Sequence, residues 1–146
     1  MTLDTCPLHK HSNYLNMTYC FEGEKWKQVK GFPNYKISNY GRLLSFTGKD
    51  KAPFIRKAVF TGDYLAATLS HNGVVKPYYI HRLVIEHFVK KVENKNYTNH
   101  INGIKTDNHY KNLEWVNHSE NGLHAYRLGL NKGPHSCSKK YTKTEN

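Results

Sequence analysis

The stretch that decides the fold lies near the middle of the chain and has three pieces, Asn99-His100-Ile101-Asn102-Gly103, Asn112-Leu113-Glu114-Trp115-Val116 and Asn121. The first two pieces predict strands around Tyr97–Ile101 and Leu113–Val116, because apolar and polar side chains alternate along the second piece as in a half-buried strand. A polar loop joins the two strands, and the third piece lies in a segment with helical spacing. The stretch therefore predicts a β-hairpin followed by a helix.

The final helix is predicted over Ser119–Leu128, with Gly129 as its C-terminal cap. Asn121 and His124 are three residues apart, so one face of the helix turns both polar side chains in the same direction. The helix thus presents these two side chains together.

A second helix is predicted immediately before the hairpin, over about residues 80–89. Apolar or aromatic residues recur there at helical spacing and form one stripe, at Ile80, Leu83, Val84, His87 and Phe88.

Two groups of strands are predicted before that helix. Asn72-Gly73 lies between the strand-like runs Tyr64–Leu69 and Val74–Tyr79, and Asn-Gly is a strong hairpin signal because both residues tolerate positive φ. Earlier in the chain, turn-forming clusters separate three short runs that predict an antiparallel meander, at Trp26–Val29, Tyr35–Ser38 and Arg42–Phe46. The fold class is therefore α+β, with a small antiparallel β-rich N-terminal region before the hairpin and its helix.

The composition is strongly basic, since 22 Lys and Arg residues against 11 acidic residues give a formal charge of +11. This balance favours a polyanionic partner, nucleic acid first, because lysine and arginine neutralise phosphates and release counterions. No apolar run approaches the roughly 20 residues of a membrane-spanning helix, and the N-terminus has no basic start or apolar core of a secretory signal. We therefore expect a cytoplasmic protein with no membrane partner.

The three cysteines are odd in number and widely spaced, which argues against a disulfide framework and indicates a reducing compartment. Cys6, His9, His11 and Cys20 match the spacing of no common closed zinc site.

The central stretch carries residue types that suit phosphodiester hydrolysis, which needs an activated water and a divalent cation to absorb developing charge. A neutral imidazole accepts a proton from water at physiological pH, a role that fits His100. Mg²⁺ prefers oxygen ligands and usually keeps several waters beside one or two protein ligands. Asn99 and Asn121 fit that role.

These residues resemble a known family. Asn99-His100, Asn112-Leu113-Glu114-Trp115-Val116 and Ser119-Glu120-Asn121 look like the motif of HNH endonucleases, and Ile80-His81-Arg82-Leu83-Val84 resembles the helix before it. Upstream, residues 26–29 and 31–42 look like the β-rich nuclease-associated modular domain that is often fused to such nucleases. The combination is similar to phage-encoded HNH homing endonucleases of group I introns, and it covers roughly residues 24–129.

The resemblance implies a role for each motif residue. His100 would be the general base, and Asn99 and Asn121 would be the ligands of Mg²⁺ or Mn²⁺ in a ββα-metal fold. The Asn112 amide would tie the hairpin loop together and so position His100. His124 would be an accessory phosphate donor or substitute ligand, or else a surface histidine.

The sequence pattern at the two ends of the chain and the resemblance between them predict an organisation in four parts. Residues 1–23 would be an arm, residues 24–79 the β-rich DNA-binding region, residues 80–130 the nuclease domain, and residues 131–146 a basic, disordered tail. Family members often carry a further C-terminal helical DNA-binding module, and we expect a shorter DNA footprint here because about sixteen residues follow Leu130.

The expected partner is double-stranded DNA, bound by basic residues on both sides of the motif. The candidates in the β-rich region, the first helix and the motif loop are Lys27, Lys36, Arg42, His81, Arg82, Lys105 and Lys111. Alternatively, the lysines of the β-rich region merely solvate the outer face of a meander.

Two departures from the usual pattern leave a second function open. The chain has Asn99 where many relatives have Asp, and Asn102-Gly103 where they often have Asp-Gly. Both proposed metal ligands are therefore neutral, and asparagine and glycine are also ordinary turn residues. The preferred hypothesis is a monomeric homing-type DNA endonuclease that nicks one strand. The alternative is a non-catalytic DNA-binding protein that retains the fold.

Overall fold

The computed structural model describes residues 21–130. The predictions for the N-terminal arm up to residue 20, the cysteine-histidine cluster within it and the tail from residue 131 fall outside this range. Within it, three antiparallel sheets and two α-helices confirm the α+β fold class.

The first sheet is the predicted meander with one further strand. Its strands pair in chain order as β1 (Trp26–Val29), β2 (Phe32–Ser38), β3 (Leu43–Ser45) and β4 (Phe54–Arg56). The second strand begins at Phe32, three residues earlier than predicted. The turn between β1 and β2 is short because Gly31 adopts φ of 81° there. The fourth strand was not predicted.

The second sheet contains the predicted hairpin, again with one further strand. Its strands pair in chain order as β5 (Val59–Thr61), β6 (Tyr64–His71) and β7 (Val74–Tyr79). Asn72 and Gly73 form the tight turn with φ of 49° and 77°, as the Asn-Gly prediction requires.

Helix α1 (Ile80–Phe88) follows β7 without a linker and packs against strands of all three sheets. Its predicted apolar stripe is confirmed, since Ile80, Leu83 and Val84 are almost fully buried. One cluster of buried side chains extends from Val29 in the first sheet through this helix to Trp115. The β-rich region therefore shares a core with the segment around Trp115.

The third sheet is the predicted hairpin of β8 (Tyr97–His100) and β9 (Leu113–Val116), and helix α2 (His118–Arg127) follows it. The helix begins with a capping box, in which Asn117 accepts from the Glu120 backbone and the Glu120 carboxylate accepts from the Asn117 backbone. None of the residues of α2 is fully buried. Among the described residues, no helix is long and apolar enough to cross a membrane.

Candidate active site

The β8–β9 hairpin separates the candidate residues onto two faces. His100 pairs across the strands with Leu113, and Asn99 pairs with Glu114. Because successive side chains of a strand point to opposite faces, His100 shares one face with Leu113 and Asn99 shares the other with Glu114. Leu113 belongs to the core cluster with α1, so the His100 face is the one that faces this helix.

On the first face, His100 is 5% exposed and its Nε2 lies 2.9 Å from the Asn108 Oδ1, which is also buried. An amide oxygen only accepts hydrogen bonds, so Nε2 carries the proton of the neutral ring and Nδ1 keeps its lone pair. Burial lowers the pKa of His100, although the Asn108 hydrogen bond and Asp107 act in the opposite direction. The imidazole is therefore neutral at physiological pH, with a free acceptor nitrogen.

The loop between the strands is held by a network around Asn112. The Asn112 amide nitrogen donates to the Asn102 Oδ1 and to the Asp107 carbonyl, both at 2.9 Å, and its oxygen accepts from the Asn102 backbone at 3.0 Å. Asn102 also donates to the Asp107 carboxylate. These contacts fix the path of the chain from His100 to Asn108.

The first sheet also contacts this loop, through Gly41. Gly41 has φ of +86°, and a Cβ placed on it would lie 2.9 Å from the Asn108 Cβ. In addition, the Tyr110 backbone donates to the Asn39 carbonyl in the same β2–β3 turn. Asn108 therefore packs against Gly41 of the β-rich region and is hydrogen-bonded to His100.

On the second face, Asn99 is 6% exposed and its amide nitrogen donates to the Glu114 carboxylate at 2.8 Å. The Asn99 oxygen is thereby turned away from Glu114 and remains available as an acceptor or a ligand. The carboxylate places a negative charge beside an otherwise neutral pair of asparagines.

Helix α2 lies over this second face. His118 packs against Tyr97 with ring centroids 5.8 Å apart, and the His124 Nε2 lies 3.1 Å from the Ile101 carbonyl. Asn121 is three residues from each of these histidines, so it lies between the two contacts and on the same side of the helix. Asn99 lies midway along the strand between Tyr97 and Ile101, the two residues that α2 contacts.

The residues on this face suit a hard cation. Residues 21–130 contain no cluster of three or more His, Cys, Asp or Glu side chains that could hold a metal ion. The oxygen donors predicted for this face are the side-chain amides of Asn99, which is bonded to the Glu114 carboxylate, and of Asn121 on α2, and oxygen donors are what Mg²⁺ prefers.

Beside His100, four aromatic rings from four elements form a ring cluster of Tyr64, Tyr79, His81 and His100. The His81 ring is 5.3 Å from His100 in an edge-to-face contact, 5.4 Å from Tyr79 in a stacked one and 4.9 Å from Tyr64. His81 is 8% exposed, and its buried Nδ1 has no hydrogen-bond partner. An unpaired buried polar atom of this kind costs about 1–3 kcal/mol.

The ring cluster also keeps His81 uncharged. Burial lowers the pKa of His81 to about 4, and repulsion from the protonated form of His100 and from Arg82 acts in the same direction. At pH 7 the imidazole therefore carries one N–H group and one lone pair.

Most of the basic side chains predicted to contact DNA make contacts within the protein. Arg42 forms an ion pair with Glu24 and lies over the rings of Phe21 and Trp26. Arg82 donates to Asn96 and Thr98 beside the hairpin.

The predicted lysines are similarly engaged. Lys27 donates to the His87 carbonyl, Lys36 lies over Phe46, and Lys105 forms an ion pair with Asp63. Lys111, in the loop, is exposed and its backbone donates to His109. His81 is buried in the ring cluster and does not lie on an open basic surface.

Sequence reasoning missed two residues of this site. Glu114 was treated only as the outward residue of a half-buried strand, although the register of the hairpin would have placed it opposite Asn99. Asn108 was not considered, and only its type and its position inside the motif loop could have drawn attention to it.

Comparisons with known proteins identify the family of the chain. A family model described as the NUMOD4 motif matches residues 24–103. The chain belongs to the NUMOD4 motif family. The NUMOD4 segment covers the first two sheets and α1, and it continues through β8 to include Asn99 and His100. It therefore extends past the β-rich region into the hairpin.

Individual relatives are HNH endonucleases by name. An uncharacterised HNH endonuclease, L245, of Acanthamoeba polyphaga mimivirus is 36% identical over 108 residues, which are 74% of this chain and 32% of the relative. DNA endonuclease I-HmuI of Bacillus phage SP01 is 31% identical over 113 residues, 74% of this chain and 63% of that protein. The chain thus spans about a third of the viral relative and less than two thirds of the phage relative.

The fold agrees as well. A solved structure of the HNH homing endonuclease I-HmuI, from a study of DNA binding and cleavage, matches with a TM-score of 0.65 at 29% identity. The match covers 84% of this chain and 68% of that chain. The predicted resemblance to HNH homing endonucleases with an N-terminal nuclease-associated domain is confirmed.

Proposed function

We propose that the chain is a DNA endonuclease that hydrolyses phosphodiester bonds with His100 as the general base. The observation that carries this proposal is the hydrogen bond from the His100 Nε2 to Asn108, because it leaves the Nδ1 lone pair free to accept a proton from water. The lowered pKa keeps the ring in that neutral form at physiological pH. HNH relatives and the I-HmuI fold support the same reaction class.

Asn99 and Asn121 would hold a single Mg²⁺ or Mn²⁺ ion, and Glu114 would orient Asn99 and supply negative charge nearby. Such a cation, when bound, stabilises the negative charge that develops on the phosphate during hydrolysis. Asn112 would position His100 through the loop network, and His124 would hold α2 against Ile101.

The substrate would be double-stranded DNA in the cytoplasm, the host cytoplasm if the chain is phage-encoded. A monomer offers one active site, so we expect a homing-type enzyme that nicks one strand. The predicted basic residues that are already paired in the protein would reach DNA only by exchanging their partners for phosphates. The side chain of Lys111 is exposed, and the contact described for this residue involves its backbone. Lys111 is therefore the first basic residue to test.

Plasmid nicking tests this proposal. We expect the wild-type protein to convert supercoiled plasmid to the nicked form in Mg²⁺ or Mn²⁺, and we expect His100→Ala to reduce the rate by roughly 10²–10⁴-fold. His71→Ala changes a histidine of β6 that lies away from the β8–β9 hairpin, and it controls for nonspecific effects. Equal cutting by His100→Ala and wild type would refute the role of His100.

The second candidate function is DNA binding without catalysis. The observation that favours it is the neutral pair of metal ligands, in a described region without a cluster of three acidic, histidine or cysteine groups. Binding of duplex DNA without nicking in either cation would favour this alternative. Salt dependence of binding would not separate the two functions, because both predict it.

A further inference from the structure

The imidazole of His81 lies beside the proposed general base and is not used by the mechanism above. It is more than nine-tenths buried, and its ring contacts the His100 ring edge to face at 5.3 Å. It is the second residue of α1, in the NUMOD4 segment, so it reaches the site from a different element than the β8–β9 hairpin.

The buried Nδ1 of His81 has no partner in the free protein. A phenyl ring would fill the same space between Tyr64, Tyr79 and His100 without leaving a buried polar atom unpaired. The imidazole therefore lowers stability at this position. Such local costs are expected where a side chain serves a ligand.

The unpaired nitrogen belongs to a ring beside the proposed general base, and this location indicates the chemical class of its ligand. His100 activates water for attack on a phosphodiester, so the group that arrives next to the ring cluster is a phosphate with its attacking water. A neutral imidazole can donate one hydrogen bond to a phosphate oxygen. Tyr79 stacks on one face of the His81 ring and is itself 41% exposed, so the ring cluster borders solvent at that face.

We propose that His81 is a substrate-contacting residue of the nuclease site and that its imidazole donates a hydrogen bond to the phosphate attacked by the water of His100. This inference rests on the proposed nuclease function. It replaces the expectation of a surface phosphate contact by His81 with a contact at the reacting phosphate itself, and it makes the NUMOD4 segment a contributor to catalysis.

Two substitutions test the role of the nitrogen. His81→Phe keeps the ring and removes both nitrogens, whereas His81→Asn places an amide near the position of Nδ1. We expect His81→Phe to keep or raise the thermal midpoint and to lower kcat for plasmid nicking about 10-fold or more, with little change in KM. We expect His81→Asn to recover part of that loss. His71→Phe is the matched control.

Either of two results would overturn the proposal: a folded His81→Phe protein with the kcat of wild type, or equal kcat values for the Phe and Asn variants. A loss of kcat in His81→Phe with partial recovery in His81→Asn supports it.

A binding measurement separates this proposal from the nuclease function. Wild-type protein with ¹⁵N-labelled histidine is mixed with a short DNA duplex in EDTA, so that no cleavage occurs, and the imidazole nitrogens of His81 are followed by NMR. A shift of a His81 nitrogen on binding supports the contact, even if the protein never nicks DNA with any cation. Binding of the duplex without such a shift overturns it.

Discussion

The two faces of the β8–β9 hairpin are built in opposite ways. The His100 face is packed against α1 and the first two sheets, and His100, Asn108 and His81 are all nearly buried there. The Asn99 face is covered by α2, a helix without a fully buried residue that begins with a capping box and is joined to other segments by a few polar contacts. The proposed general base is thus positioned by the core of the protein, and the proposed cation site includes Asn121 from a helix that buries none of its residues fully.

The largest expected effect on the packed face is that of Asn108→Ala. This change removes the acceptor for the His100 Nε2, so the ring no longer holds a single tautomer, and we expect the nicking rate to fall about 100-fold. Plasmid nicking with Asn34→Ala as an exposed control measures it. A rate within threefold of wild type would show that Asn108 does not orient the base.

The packed face should also make stability depend on pH through His81. Its pKa is about 4 in the folded state and about 6.5 when unfolded, so the unfolded chain binds the proton first as the pH falls. The free energy of unfolding should decline from about pH 6.5 to about pH 4, by up to about 3 kcal/mol, and this contribution should be constant outside that window. Urea unfolding of wild type and His81→Phe isolates it, because the variant lacks the group; parallel pH curves for the two proteins would contradict it.

The contact between the β-rich region and the site should be sensitive to Gly41→Ala. The new methyl group would meet the Asn108 Cβ at a positive φ, and we expect a loss of about 2 kcal/mol in unfolding free energy together with reduced nicking. Gly31→Ala is a matched control, since Gly31 has φ of +81° and nothing within 4 Å of the added Cβ. Equal effects of the two variants on stability and nicking would show that only the backbone conformation matters.

On the Asn99 face, Glu114→Gln should weaken metal binding about 10-fold. The variant loses the negative charge beside Asn99 and part of the hydrogen bonding that orients the Asn99 amide. Calorimetric titration with Mn²⁺ measures the affinity, and nicking should recover at high metal concentration. Glu93→Gln, at an exposed loop position, is the control. Unchanged affinity for Mn²⁺ would remove Glu114 from the site.

The smallest effect should come from the anchor of α2. Asn117→Ala removes the N-terminal cap, and we expect it to lower the free energy of unfolding by about 1 kcal/mol. If metal binding at the Asn99 face depends on this helix, Asn117→Ala should also bind Mn²⁺ more weakly than the neighbouring control Ser119→Ala. Weaker metal binding in Ser119→Ala than in Asn117→Ala would contradict this dependence.

The elements with strong local patterns could be predicted from the sequence. The apolar residues at helical spacing predicted α1, and Asn72-Gly73 predicted the β6–β7 turn. The alternation around Trp115 predicted β9. The strands β4 and β5 were missed because each has three residues, too few for a period to appear.

The site was predictable only in part, for a physical reason. Asn99, His100, Asn112 and Asn121 lie within one local motif, so their spacing is visible in the sequence. Asn108 bonds His100 only because the loop folds back, and the burial of His81 requires Tyr64 and Tyr79 from another sheet. Likewise, the contacts of Arg42 with Glu24 and two aromatic rings join segments that are separate in the sequence, and its predicted contact with DNA stays a prediction.

The close approach of Gly41 to Asn108 limits how the β8–β9 hairpin and α2 can be recombined with other N-terminal modules. A chimera joined between residues 79 and 80 would keep the whole β8–β9 hairpin and α2, yet it would lose the turn that presses on the partner of His100. Fusion partners would have to reproduce that turn, so the natural unit of exchange is the NUMOD4 segment together with the hairpin and α2.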